Sequence, residues 1–180
     1  EVDAVKDGKD ALELFCEDSP PNSQQMAPIL VVRSLLWSGS TGEARRALDA
    51  FADHPFPTDF FRQVSMVALH AQCLVDEGRI REAAVRCTAA TRWLADQGLG
   101  PEATAQFGLM TVQGALAVET GEVPVALTRL EDAVSAAVEH SAISDATASL
   151  IWLSRAHLAS GRIRDALDSL SRARELLHRS

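Results

Sequence analysis

Apolar side chains return at helical spacing along most of the chain, and the breaks between them fall on glycines set 39 to 43 residues apart: Gly39, Gly78, Gly121 and Gly161. The third residue before each glycine is Leu36, Val75, Val118 or Leu158, and the fifth after it is Ala44, Ala83, Ala126 or Ala166. The ninth after it is Leu48, Cys87, Leu130 or Leu170, and the twelfth is Phe51, Ala90, Ala133 or Ala173. A fixed period of this size predicts a stack of helical hairpins, none of which buries its apolar face alone. The glycine ends the first helix of each hairpin in a left-handed conformation. The alanine at five sits where the two helices cross. The residue at nine fills the hairpin core, and the one at twelve faces the next hairpin.

Four hairpins are expected, at about 23–54, 57–98, 101–140 and 144–179, within a single domain spanning 1–180. Pro28 falls in the opening turn of the first, Thr58 or Asp59 caps the second, Pro101 opens the third and Ser144 caps the fourth. Pro124 opens the second helix of the third hairpin. Ahead of them Val2, Val5, Ala11, Leu12, Leu14 and Phe15 pattern a helix over 2–17, read as the second half of a repeat. The prolines at 20 and 21 end that helix. No strand-like alternation is found. The fold class is therefore all-α, a right-handed superhelix of stacked antiparallel hairpins. The chain opens on Glu1 inside a helical pattern and reads as a fragment of a longer protein.

Charge narrows the partners. The formal net charge is -8, so the chain as a whole carries no basic nucleic-acid footprint. Residues 1–20 are acidic and residues 161–180 carry five arginines; these are oppositely charged ends, or simply solvated helix faces. Three cysteines, Cys16, Cys73 and Cys87, lie within or beside apolar helical stretches, which fits buried thiols in a reducing cytoplasm. No apolar run reaches the length of a membrane span. Fifteen arginines against two lysines fit a GC-rich bacterial genome.

These offsets resemble those of the tetratricopeptide repeat, a helix-turn-helix with small residues at its eighth and twentieth positions. The eighth reads Val32, Ala71, Gly114 and Ser154, and the twentieth is alanine in all four repeats. Leu35, Leu74, Ala117 and His157 replace the usual aromatic at position eleven, and the period is longer than the family's. Lengthened repeats rich in alanine and arginine also resemble the middle region of large bacterial LuxR-family transcriptional regulators of the maltose-activator type. In that family a nucleotide-binding domain precedes the repeats and a DNA-binding domain follows them. Neither a phosphate-binding loop nor a helix-turn-helix DNA-binding motif occurs in this chain. The resemblance implies a regulatory or sensor segment that binds a protein, a peptide or a small-molecule effector. A free-standing scaffold or adaptor is the alternative.

The resemblance also implies a concave groove lined by the first helices. Carried over, its positions are Met26, Ile29, Arg33, Leu36 and Trp37; Ser65, Ala68, Gln72, Val75 and Asp76; Gly108, Thr111, Ala115, Val118 and Glu119; and Ala148, Ile151, Arg155, Leu158 and Ala159. The binding candidates among them are Arg33, Trp37, Gln72, Asp76, Thr111, Glu119 and Arg155. Two arginines and a tryptophan in an apolar groove suit a peptide or an anionic small ligand. Alternatively the arginines pair with nearby acids and Trp37 plugs a hairpin core.

His70, Cys73 and Cys87 lack a fourth partner for a zinc site, so no metal or other cofactor is expected. Recognised catalytic motifs are absent, and a non-catalytic module is the expectation. An enzyme would need His140 or His157 gathered with a carboxylate. Arginines in the last helix alternate with Asp165, Asp168 and Glu175, which argues for paired surface charges rather than direct nucleic-acid contact. Leu170, Ala173, Leu176 and Leu177 form an apolar stripe there and predict self-association through the C-terminal helix.

Overall fold

The computed structural model describes residues 21–52, 60–99 and 106–179. Among them the chain forms eight helices: α1 Pro21–Trp37, α2 Thr41–Ala52, α3 Phe60–Asp76, α4 Ile80–Asp96, α5 Phe107–Glu119, α6 Val123–Glu139, α7 Ile143–Ala159 and α8 Ile163–Arg179. They pack as sequential pairs, and α1, α3, α5 and α7 also pack against one another in series. The arrangement is consistent with a helical repeat. The leading helix expected over 2–17 and the caps expected at Thr58, Asp59 and Pro101 lie outside the described residues.

Each pair turns on its marker glycine. Gly39, Gly78, Gly121 and Gly161 hold φ between 74° and 79°, a region from which a Cβ excludes most residues. The turn is closed the same way each time. Gly39 N–H donates to Leu36 O at 3.0 Å and Ser40 N–H to Leu35 O at 2.8 Å. The equivalent pairs at the other three turns use Val75 and Leu74, Val118 and Ala117, and Leu158 and His157 as acceptors. These bonds satisfy carbonyls that the helix end leaves open. Thus the residue three before the glycine is an acceptor of the turn as well as an apolar side chain.

The two described corners between pairs repeat the device. Gly98 ends α4 at φ 73°, and Ser141 ends α6 at φ 57°, the one non-glycine with positive φ among the described residues. Ser144 is not the cap expected of it. The residue preceding α7 is Ala142, with no side-chain cap, and Ser144 lies inside the first turn. The corner at Ser141 already closes the chain, so α7 starts directly from it. Pro28 also differs from expectation, because α1 begins at Pro21 and places Pro28 beyond the opening turn.

Packing explains most of the periodic residues. Ala44, Ala83, Ala126 and Ala166 are all buried at the helix crossings. At position nine, Leu48, Cys87 and Leu130 are buried while Leu170 is 44% exposed. Position twelve shows the opposite at the same place: Ala173 is buried, with α8 packed chiefly against α7. The two expected roles are therefore exchanged in α8. Position twelve faces its own hairpin, and position nine needs the following hairpin to cover it. The apolar stripe of α8 shifts accordingly: Ala173 and Leu176 pack inward, leaving Ile163, Leu167 and Leu170 exposed.

α5 is the most enclosed element, apolar around nearly its whole circumference and packed against α3, α4, α6 and α7. Its Gly114 sits directly under Leu130: a Cβ there would lie 2.5 Å from two Leu130 atoms. Among the described residues no helix is long and apolar enough to cross a membrane.

Candidate functional site

The serial packing of α1, α3, α5 and α7 leaves a cleft of about 460 Å³ between them, open to solvent on one side. It is lined by Arg33, Leu36 and Trp37 from α1, Ser65, Ala68, Gln72 and Asp76 from α3, Gly108 and Thr111 from α5, and Ala148, Ile151 and Arg155 from α7. All of these were among the positions carried over from the repeat resemblance. Others of that set lie elsewhere. Ile29, Val75 and Ala115 are buried in the core, and Leu158 is exposed away from the cleft. Each first helix shows the cleft only a narrow stripe, and positions one residue off that stripe turn into the packing between helices.

Every arginine of the cleft is engaged. Arg33 Nη2 donates to Asp145 Oδ1 at 2.8 Å, joining α1 to α7. Arg155 Nη2 donates to Glu119 Oε1 at 2.8 Å, and its guanidinium lies 4.0 Å from the centre of the Trp152 ring. Glu119 is thus tied to the site through Arg155 without lining the cleft itself. The reading in which the arginines pair with nearby acids describes what the structure holds. Trp37 does not plug a hairpin core: it is 50% exposed and forms part of the cleft wall.

Gln72 Nε2 donates to Asp76 Oδ1 at 2.8 Å. Although Asp76 keeps contact with solvent, the surrounding protein strips enough water to raise its carboxyl above the usual carboxylate range. The hydrogen bond from Gln72 and the charge of Arg155 offset part of that rise. Thr111 is buried, and its hydroxyl is occupied by Phe107 O at 2.8 Å and Ser149 Oγ at 2.7 Å. Thr147 is also buried on the cleft wall, and its hydroxyl oxygen has no hydrogen-bond partner.

Leu69, Val112, Asp145, Thr147, Trp152 and Leu177 line the cleft too, and sequence reasoning did not select them. Trp152 was within reach, since it stands three residues before Arg155 on the same helical face. Asp145 carried no such signal. Its partnership with Arg33 depends on how the first and fourth pairs face each other across the cleft.

The remaining candidates are scattered. Cys73 and Cys87 are buried in separate apolar clusters, and burial pushes their thiols up to about 12 and about 11. His70 is held below its ordinary value, chiefly by burial. Among the described residues no three His, Cys, Asp or Glu side chains gather as metal ligands would. His157 is buried and accepts from Arg162 Nη2 at Nδ1, 2.6 Å away. His140 lies 5.2 Å from the Phe107 ring, with its Nδ1 3.0 Å from Ala136 O. Neither histidine lines the cleft.

Comparison of the chain with protein-family models, with curated proteins and with solved structures finds no match.

Proposed function

We propose that this chain is a non-catalytic, tetratricopeptide-like module, a right-handed stack of helical hairpins whose cleft binds a small-molecule effector. The observation that carries the reading is the cleft itself. All four first helices contribute to it, its volume is that of a small-ligand site, and the Arg33–Asp145 pair crosses from α1 to α7. A groove for an extended peptide or a helix needs an unobstructed channel, which that pair interrupts. Within this proposal the chain is the regulatory segment of a bacterial LuxR-type transcriptional regulator. DNA contact belongs to another part of the parent protein.

Two experiments test the two halves. A thermal-shift screen of soluble metabolites is expected to find compounds that stabilise the native protein but not Ala148→Phe, which fills the cleft. Equal stabilisation of both proteins would overturn the cleft as the site. Sequencing the gene on both sides tests the regulator half. A phosphate-binding loop upstream with a helix-turn-helix downstream supports it, and stop codons close by on both sides overturn it.

The scaffold reading draws on a different observation, the half-exposed Ile163, Leu167 and Leu170 on α8. Such a stripe favours contact with another protein surface.

A further inference from the structure

Charge in and beside the cleft does not balance. Arg33 is taken by Asp145 and Arg155 by Glu119, which leaves Asp76 as the third carboxylate against two guanidinium groups. Among the described residues Asp76 accepts a hydrogen bond from Gln72 but has no cation within ion-pair distance. Asp76 is exposed on the cleft wall, so a cation can reach its carboxylate directly from solvent. A ligand anion would have to displace Asp145 or Glu119 from its arginine and would then face the released carboxylate. A ligand cation needs no such exchange.

The aromatic groups divide the same way. Trp152 already holds the Arg155 guanidinium against its ring, whereas Trp37 stands half exposed on the wall. An exposed indole face attracts a cation, and more so once water is excluded. The unpartnered Thr147 hydroxyl adds a polar group that a turn of its side chain would offer to the occupant.

We propose that the cleft takes an organic monocation with an apolar body, an amine or quaternary ammonium compound, with Asp76 as its counter-ion and Trp37 against its charged end. This rests on the small-molecule reading of the cleft and goes further by assigning the sign of the ligand's charge. It replaces the anionic ligand that the two arginines suggested in the sequence.

The test is calorimetric titration of the full chain with phenylbutylamine, phenylbutanol and phenylbutyrate, which share one apolar body and differ at the polar end. The amine is expected to bind about tenfold more tightly than the alcohol, and the carboxylate least well. Asp76→Asn is expected to remove that advantage, so that the amine and the alcohol bind with similar affinity. Trp37→Leu, which keeps an apolar wall, is expected to weaken the amine more than the alcohol. Should Asp76→Asn fail to fold, raised salt on the unaltered protein reads the same ionic contact by weakening the amine alone. Equal binding of all three compounds overturns the cationic assignment and leaves the small-molecule reading standing. Failure of all three to bind overturns that reading as well.

Discussion

Arg33 Nη2 and Asp145 Oδ1 meet at 2.8 Å across 112 positions of sequence and tie the first helical pair to the fourth. Both side chains are about one-fifth exposed, and α1 and α7 share no packed interface. The contact is therefore a clasp over the cleft more than a piece of the core. Arg33→Ala is expected to cost about 1 kcal/mol, the scale of a partly buried charged hydrogen bond whose partner regains some water. Asp145→Ala should cost a similar amount. A double-mutant cycle by urea unfolding is expected to show coupling of that order. Strict additivity would mean that the clasp contributes nothing to the folded state.

Gly114 and Leu130 meet in close contact between α5 and α6. Gly114→Ala gains about 1 kcal/mol of helix propensity and loses about 1–3 kcal/mol to overpacking against the buried Leu130. The expected net is a destabilisation of about 1 kcal/mol. The sign should reverse in a Leu130→Ala background, where the added methyl partly fills the space left behind. Denaturant midpoints of the four proteins decide it.

Ser141 holds at φ 57° the position that Gly98 takes at the corner after α4. Ser141→Gly is expected to raise stability by about 0.5–1 kcal/mol, since a Cβ resists left-handed backbone. An unchanged midpoint would show that the serine conformation carries no strain.

Acid should weaken the fold through its histidines. Burial holds His157 below 6.5, aided by the Arg162 guanidinium, and His70 is lowered by burial and by Arg86. The folded state then binds fewer protons than the unfolded chain. Stability is full above 6.5 and falls as the pH drops from there through the lowered values. Asp76 acts with the opposite sign. Its raised carboxyl favours the folded state in acid and is penalised once ionised, so Asp76→Asn should stabilise at neutral pH and do nothing below 3.8. Urea titrations across the pH range check both trends.

The exposed stripe on α8 is expected to drive association at high concentration. Leu167→Glu should leave the protein monomeric by sedimentation at concentrations where the native chain associates. A native chain that stays monomeric throughout would show that the stripe is merely solvated.

The helical pairs were legible because their determinants are local. A left-handed glycine, an alanine at a crossing and apolar spacing each leave a mark within a few residues of where they act. The same is true of Gln72 with Asp76, one turn apart on α3. Arg33 and Trp37 were found through the repeat register. The partner of Arg33 was not, because Asp145 lies 112 positions away and meets it only across the folded cleft. The pairing of the two cleft arginines was hidden for the same reason. Arg33 and Arg155 stand out along the chain, while the acids that neutralise them come from other helices.

The four matching glycine turns bear on how such a chain changes over generations. The four glycine turns stand 39 to 43 residues apart with the same backbone geometry, so an in-frame duplication or loss between turns would yield a chain that still closes them. Copy number ought then to drift easily. The reach from Arg33 to Asp145 forbids that here: one unit more or fewer between them would part the two side chains and dismantle the cleft. Selection on the cleft would thus appear as a fixed number of hairpins, whatever happens to the residues between the turns.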